Sequence, residues 1–222
     1  MKKQILRPIV QRGYSLRPIA LALATAGLLS LAHAAPQDGI VRAGDARISG
    51  GGAYTRIDQN TQRAVIDWRA FSTGAGEQVQ FVQPSASSAI LNRVTGSQMS
   101  TLLGKLDANG QVLLINPNGI VIGKGGQINV GSFIASTSNI SNTNFMAGRL
   151  VFDQPGKPGA GILNAGSITA AEGGLVALVA PHVRNDGLIQ ARLGRVMLGA
   201  AGSARRYAHA ARPAPPGRPR RR

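Results

Sequence analysis

Side chains able to hold a proton, a metal or a nucleophile are sparse in this chain of 222 residues. Cysteine is absent, and the three histidines are His33, His182 and His209. Only His182 lies in the body of the chain, and one histidine cannot make a zinc site unaided. A Ser-His-Asp triad would also want a Gly-x-Ser-x-Gly elbow, which is nowhere present. His182, after Pro181, reads as a solvated turn residue. The stretch Gly119-Ile120-Val121-Ile122-Gly123-Lys124-Gly125 grazes a phosphate-binding loop, but it is one residue short between its glycines and has Gly where Ser or Thr must hold magnesium. It reads as a strand between turns. Carboxylates on adjacent coils of a β-structure remain, and these bind calcium or cleave acidic polysaccharides when they stack. Asp107, Asp153, Glu172 and Asp186 are separated by 46, 19 and 14 residues, never by the 21-residue period of the chain, so stacking on one face is not expected. No catalytic residue, cofactor or metal is assigned, and the chain is not expected to be an enzyme.

The elements that would position any site have a consistent texture. Between Asp38 and Ser203, short runs of Val, Ile, Leu and Ala are broken by Gly, Asn or Asp-Gly, a pattern of strands and turns. Long helical periodicity is missing. Residues 164–184 and 185–205 superpose at a constant offset of 21 residues, which sets Asn164 on Asn185, Gly166 on Gly187, Ile168 on Ile189 and Ala170 on Ala191. The same offset sets Gly173 on Gly194, Leu175 on Val196 and Ala177 on Leu198. Looser copies start at Asn109-Gly110 and Asn118-Gly119. An Asn-x-Gly-x-Ile unit of this length suits a coil of two or three short strands stacked on the next coil, with apolar ladders inside and asparagine ladders at the turns. A β-sandwich would give no reason for a fixed recurrence. The expected fold is all-β: a parallel β-helix closed by an N-terminal β cap.

The ends differ from the body. Residues 1–34 carry Lys2, Lys3, Arg7, Arg12 and Arg17, then an apolar run from Ile19 to Leu31, then Ala32-His33-Ala34. That is a signal peptide with a small-x-small cleavage site, possessing either an ordinary or an extended basic region, and the mature chain is expected to start near Ala35. The apolar run is about 13 residues, against roughly 20 for a membrane-spanning helix. Residues 35–85, which hold Trp68, Tyr54, Phe71 and Phe81, are expected to form the cap, and 86–203 the β-helix. Residues 204–222 form a basic Pro/Arg tail without strand character, expected to be disordered or out of frame. Of the formal charge of +16, the two ends supply twelve basic residues and no acidic one, which leaves 35–203 with a net charge of about +4. With few aromatic residues as well, no nucleic-acid partner is expected.

One turn has a mechanism. In Ile115-Asn116-Pro117-Asn118-Gly119-Ile120, Pro117 presets φ, Asn118 tolerates the next turn position and Gly119 permits the exit into a strand. Several phrases in order around it resemble the two-partner secretion (TPS) domain that opens filamentous haemagglutinins, large haemolysins and contact-dependent inhibition toxins. They are Leu91-Asn92-Arg93-Val94-Thr95-Gly96, Leu113 to Ile120, Ile128-Asn129-Val130-Gly131 with Ile134-Ala135-Ser136-Thr137, and Asn144-Phe145-Met146-Ala147-Gly148. Gly173 to Leu178 and Asn185 to Ile189 complete the series, which runs from about Gly39 to Ser203.

The resemblance implies a right-handed parallel β-helix exported through the periplasm of a Gram-negative bacterium to the cell surface or medium. It implies recognition by a dedicated outer-membrane β-barrel transporter with periplasmic modules, and folding of the β-helix outside the cell. It also assigns the secretion motif to Asn116, Pro117, Asn118, Gly119 and Ile120, with Asn92 upstream. Two roles stay open for the turn, contact with the transporter or securing the fold. A second Asn-Pro-Asn turn, present in some members, does not follow residue 119, and members usually run on for hundreds of residues. Adhesin or toxin activity toward a host surface or glycan is therefore expected of sequence beyond this chain, which itself is expected to be monomeric. The alternatives are a stand-alone adhesive, glycan-binding β-helix and, less favoured, a polysaccharide-degrading one.

Overall fold

The computed structural model describes residues 34–200. The signal-peptide region through His33 and the tail from residue 204 lie outside the described residues. Among the described residues eighteen strands and one short helix follow in chain order. The first four are β1 (Ile40–Ala43), β2 (Ala46–Gly51), β3 (Tyr54–Gln59) and β4 (Arg63–Trp68). Next come β5 (Gln78–Val82), β6 (Ala89–Val94), β7 (Ser100–Leu102), β8 (Lys105–Ala108), β9 (Gln111–Ile115) and β10 (Ile120–Ile122). After β11 (Gln127–Val130) and β12 (Ser132–Ser136) the chain leaves the stack through α1 (Asn142–Met146). It returns as β13 (Gly161–Asn164), β14 (Ser167–Ala170), β15 (Leu175–Ala180), β16 (His182–Asn185), β17 (Leu188–Ala191) and β18 (Arg195–Ala200).

These strands build three sheets. Sheet I has the order β1-β4-β6-β9-β12-β15-β18, sheet II β17-β14-β11-β8-β5-β3-β2, and sheet III β16-β13-β10-β7. Each complete coil visits II, I and III in turn, as β8, β9 and β10 do, so neighbours in a sheet belong to successive coils. Every pairing from β3 onward is parallel, whereas β1 on β4 and β2 on β3 are antiparallel. The antiparallel pairs cover the N-terminal end of the stack, as open sheet edges require. Parallel pairing starts with β3 and β4, inside the 35–85 segment expected to be wholly cap.

The interior follows from the register. In sheet II, Val79, Leu106, Ile128, Ile168 and Ile189 form one continuous column. In sheet I, Ala64, Ile90, Val112, Phe133, Val176 and Val196 form another. Ile168 faces Ile189, Ala170 faces Ala191 and Asn164 faces Asn185, as the 21-residue offset predicts. Asn164 Nδ2 donates to Asn185 Oδ1 at 2.7 Å, the expected amide ladder.

In the third strand of the repeat the offset needs correction. Leu175 pairs with Arg195, Val176 with Val196, Ala177 with Met197 and Leu178 with Leu198, an offset of 20. Gly194 lies on Gly174 rather than Gly173: a Cβ on Gly194 would come within 2.1 Å of the Gly174 carbonyl oxygen. The cause is the turn, which passes from Ala191 to Arg195 in one residue fewer than from Ala170 to Leu175. Because strand side chains alternate, that missing residue sets Val196 and Leu198 in line with the interior columns, where on this last described coil they are still about half exposed, and turns Met197 toward the outer layer.

A second apolar layer lies outside the coil. Val65, Leu91, Leu113, Ile134, Ala177 and Val179 point outward from sheet I, yet all are buried. Ile140, Phe145 and Phe152 of the 137–160 excursion cover them. Ser141 caps α1, its Oγ accepting from Asn144 N at 3.2 Å. Arg93 pins the entry to this excursion, donating to Asn139 Oδ1 at 2.8 Å, to the Ile140 carbonyl at 2.8 Å and to Asp67 Oδ1 at 3.0 Å.

Candidate functional site

Asn116 ends the run that begins with β9, and its N–H donates to Ser136 O of the following coil at 3.0 Å. Gly119 N then donates to Asn116 O at 3.1 Å, closing a four-residue turn with Pro117 and Asn118 at its centre. Asn first, Pro second and Gly fourth are the residues such a turn favours, because Pro fixes φ and the first side chain can bond the backbone two residues on. Here Asn116 Oδ1 accepts from Asn118 N at 2.9 Å. Gly119 has φ +118°, and a Cβ there would stand 3.1 Å from the Gly161 carbonyl oxygen of the next coil. The conformation favours glycine, and any side chain would also need the next coil to give by a few tenths of an ångström.

The turn is held from below by the preceding coil. Asn116 Nδ2 donates to Gln98 O and to Ser100 Oγ, both at 3.0 Å. Asn118 Nδ2 donates to Gly96 O at 2.9 Å and to Asn116 Oδ1 at 2.9 Å. Ser100 N donates in return to Gly119 O at 3.0 Å. On the other side Lys157 N, at the end of the excursion, donates to Pro117 O at 3.0 Å. The six expected motif residues therefore divide. Asn116, Gly119 and Ile120 are buried, Pro117 and Asn118 are half-buried, and Ile120 stands in the interior between Ser100 and Ile162.

Asn92 is elsewhere. It occupies an interior column of sheet I between Ile66 and Leu114, fully buried, where its Oδ1 accepts from Trp68 Nε1 at 3.0 Å and its Nδ2 donates to Leu113 O at 3.4 Å. Its hydrogen bonds lead to the aromatic cluster at the N-terminal end, where Trp68 meets Phe71 edge-on at 5.5 Å. The structure joins five of the six residues in one turn and leaves Asn92 on a separate strand.

Sequence reasoning missed the partners Gly96, Gln98 and Ser100. They stand 16 to 22 residues before the asparagines they hold, close to one coil, whereas subtracting the 21-residue period from Asn116 and Asn118 gives Thr95 and Ser97, neighbours of the partners and not the partners themselves.

Nothing in the turn titrates. The resolved electrostatic shifts lie on exposed outer faces, where a hydrogen bond from Arg56 holds the Asp58 carboxyl below its ordinary range and Asp186 raises Arg184. Of the late carboxylates, Asp186 pairs with Arg184, and Asp107 accepts from Gln78 and Asn129 at 2.9 Å each in a shallow trough on sheet II. Among the described residues no group of three or more His, Asp or Glu is placed to hold a metal ion. None of the described helices is long and apolar enough to cross a membrane.

A parallel coil with a covered first end and an asparagine-centred turn tying neighbouring coils together defines a β-helical module. The TPS secretion domain model matches residues 32–217, and the chain belongs to that family. It carries a secretion domain of an exported protein. A heme/hemopexin-binding protein of Haemophilus influenzae (strain ATCC 51907 / DSM 11121 / KW20 / Rd) is 37% identical over 181 residues, which cover 78% of this chain and 20% of that protein. A second heme/hemopexin-binding protein of Haemophilus influenzae is 43% identical over 84 residues, 38% of this chain and 9% of the relative. The crystal structure of the HMW1 secretion domain from Haemophilus influenzae is similar at 43% identity with a TM-score of 0.70, over 74% of this chain and 44% of that one. The chain thus spans a fifth or less of the length of these curated relatives.

Proposed function

We propose that this domain hands its exoprotein to a cognate outer-membrane β-barrel transporter with periplasmic recognition modules, then starts β-helix folding outside the cell. Residues 1–34 are the signal peptide that delivers it to the periplasm, and the mature chain from residue 35 carries the cap and the coils. It works as a monomer and without catalysis or a cofactor. Adhesion to a host cell or glycan, or any other activity at the target, belongs to sequence joined downstream.

The observation that carries this reading, beside the family, is the placement of the Asn116–Gly119 turn. Its asparagine amides donate to the preceding coil, and its Asn116 N–H and Pro117 carbonyl bond to chain that follows. A segment so connected can form only when the coil before it is in place, and it then offers a finished edge to the coil after it. That is templated growth, with each emerging coil gaining strand pairing and apolar burial on one already formed. The turn therefore serves by securing the fold. The glycan-binding alternative has less support, because Asp107 and Asn129, which line the trough on sheet II, are bonded to each other, and Asp107 also to Gln78.

Producing the chain in a Gram-negative host with and without a transporter gene cloned from the same locus tests the proposal. Export of the processed chain only when the transporter is present is expected. Equal export in its absence would refute it.

A further inference from the structure

Glu77 is a carboxylate for which the secretion role has no use. It lies just before β5 and is 8% exposed. Its Oε2 accepts from Gly74 N at 2.6 Å and its Oε1 from Ala34 N at 3.0 Å. None of the ion pairs among the described residues includes it. A carboxylate this well buried is costly without a cation, and two peptide N–H groups offset only part of the cost. The setting allows little escape, since even a Cβ on Gly74 would stand 3.2 Å from Glu77 Cδ.

What reaches Glu77 is the peptide that precedes the expected cut. Immediately after it, Ala35 is 7% exposed, and Gln37 is fixed in a β-bridge to Ala70, with Gln37 N donating to Ala70 O at 2.8 Å and Arg69 N to Gln37 O at 3.0 Å. The chain start is therefore clamped to the first coil two residues beyond the cut. Hydrolysis between Ala34 and Ala35 consumes one water, leaving a carboxylate on Ala34 and, at neutral pH, an ammonium on Ala35. Ala34 and its N–H depart with the leader. The new ammonium begins no more than one residue away, ~3.8 Å along the chain.

We propose that Glu77 is a built receptor for the α-ammonium group of the processed chain, forming an ion pair that exists only after the leader is removed. The proposal rests on reading residues 1–34 as a signal peptide. Its consequence is order: among the described residues the uncut chain offers this buried carboxylate no cation, and the cut chain supplies one, so the fold is completed after processing rather than before.

The test compares the exported chain, its start fixed by mass spectrometry, with the uncut 222-residue chain made without export, each as wild type and as Glu77→Gln. The substitution is expected to lower the melting temperature of the exported chain by ~4 °C or more and that of the uncut chain by less than half as much. An equal loss in both, or none in the exported chain, would overturn the ion pair while leaving the signal reading intact. A mature start well away from Ala35 would overturn both. Should Glu77→Gln not fold, amine labelling decides on wild type alone. The Ala35 α-amine should react several-fold more slowly at pH 7 in the folded than in the urea-unfolded exported chain, and equal rates would refute the pairing.

Discussion

Asn116 Nδ2 lies 3.0 Å from Ser100 Oγ, a hydrogen bond between side chains 16 residues apart that joins one coil to the turn of the next. Both residues are fully buried. Replacing Asn116 by Ala removes this bond, the one to Gln98 O and the acceptor used by Asn118, and leaves buried groups unsatisfied. At about 1–3 kcal/mol for each orphaned group, a loss of ~3 kcal/mol is expected from urea denaturation of the mature chain.

Trp68 and Asn92 form another buried polar contact between coils. Trp68→Phe should cost more than its lost area, because Asn92 Oδ1 is orphaned in an otherwise apolar column. Trp68→Phe combined with Asn92→Leu should recover part of that loss, read as a positive coupling in a thermal-melting cycle. Strict additivity would show that the indole bond contributes nothing.

The two isoleucines of the sheet II column are not equivalent. Ile168 is fully buried between coils, while Ile189 is only partly buried on the last described coil. Ile168→Ala is expected to cost ~3 kcal/mol and Ile189→Ala less than half of that. Denaturant midpoints with an unchanged slope would measure the difference.

The excursion is held by its own small core. Phe145 is fully buried against the outer face of sheet I, with Arg63 5.6 Å from its ring centre. Phe145→Ala should release residues 137–160 before the coil melts, seen as faster protease cleavage within that segment at a temperature where hydrogen exchange in β9 is unchanged.

Much of this was legible in the residues. The Asn164–Asn185 and Ile168–Ile189 matches set the period, and the period implied the stack, because no unit of that length can bury its own face. The register slip at Gly194 was not legible, since the glycine pair Gly173-Gly174 offers two alignments and only backbone pairing chooses between them. The outer core left a sign that was not used. Val112-Leu113-Leu114-Ile115 is an unbroken apolar run, and a strand buried on one side only would alternate. The Asn116–Gly119 turn was found from its own chemistry, but its partners lie a coil away and Asn92 belongs to a different contact altogether.

The decisive comparison is between export and stability across substitutions in the turn. Asn116→Asp, Asn116→Val, Pro117→Ala and Asn118→Ala, each made in the full chain beside its transporter, should span a range of folding stabilities while the leader is still removed. If the turn works by securing the coil, the amount exported falls in step with the stability of each variant, and Asn116→Val is retained in the periplasm. A variant with wild-type stability and no export, or an unstable one exported in full, would contradict that role.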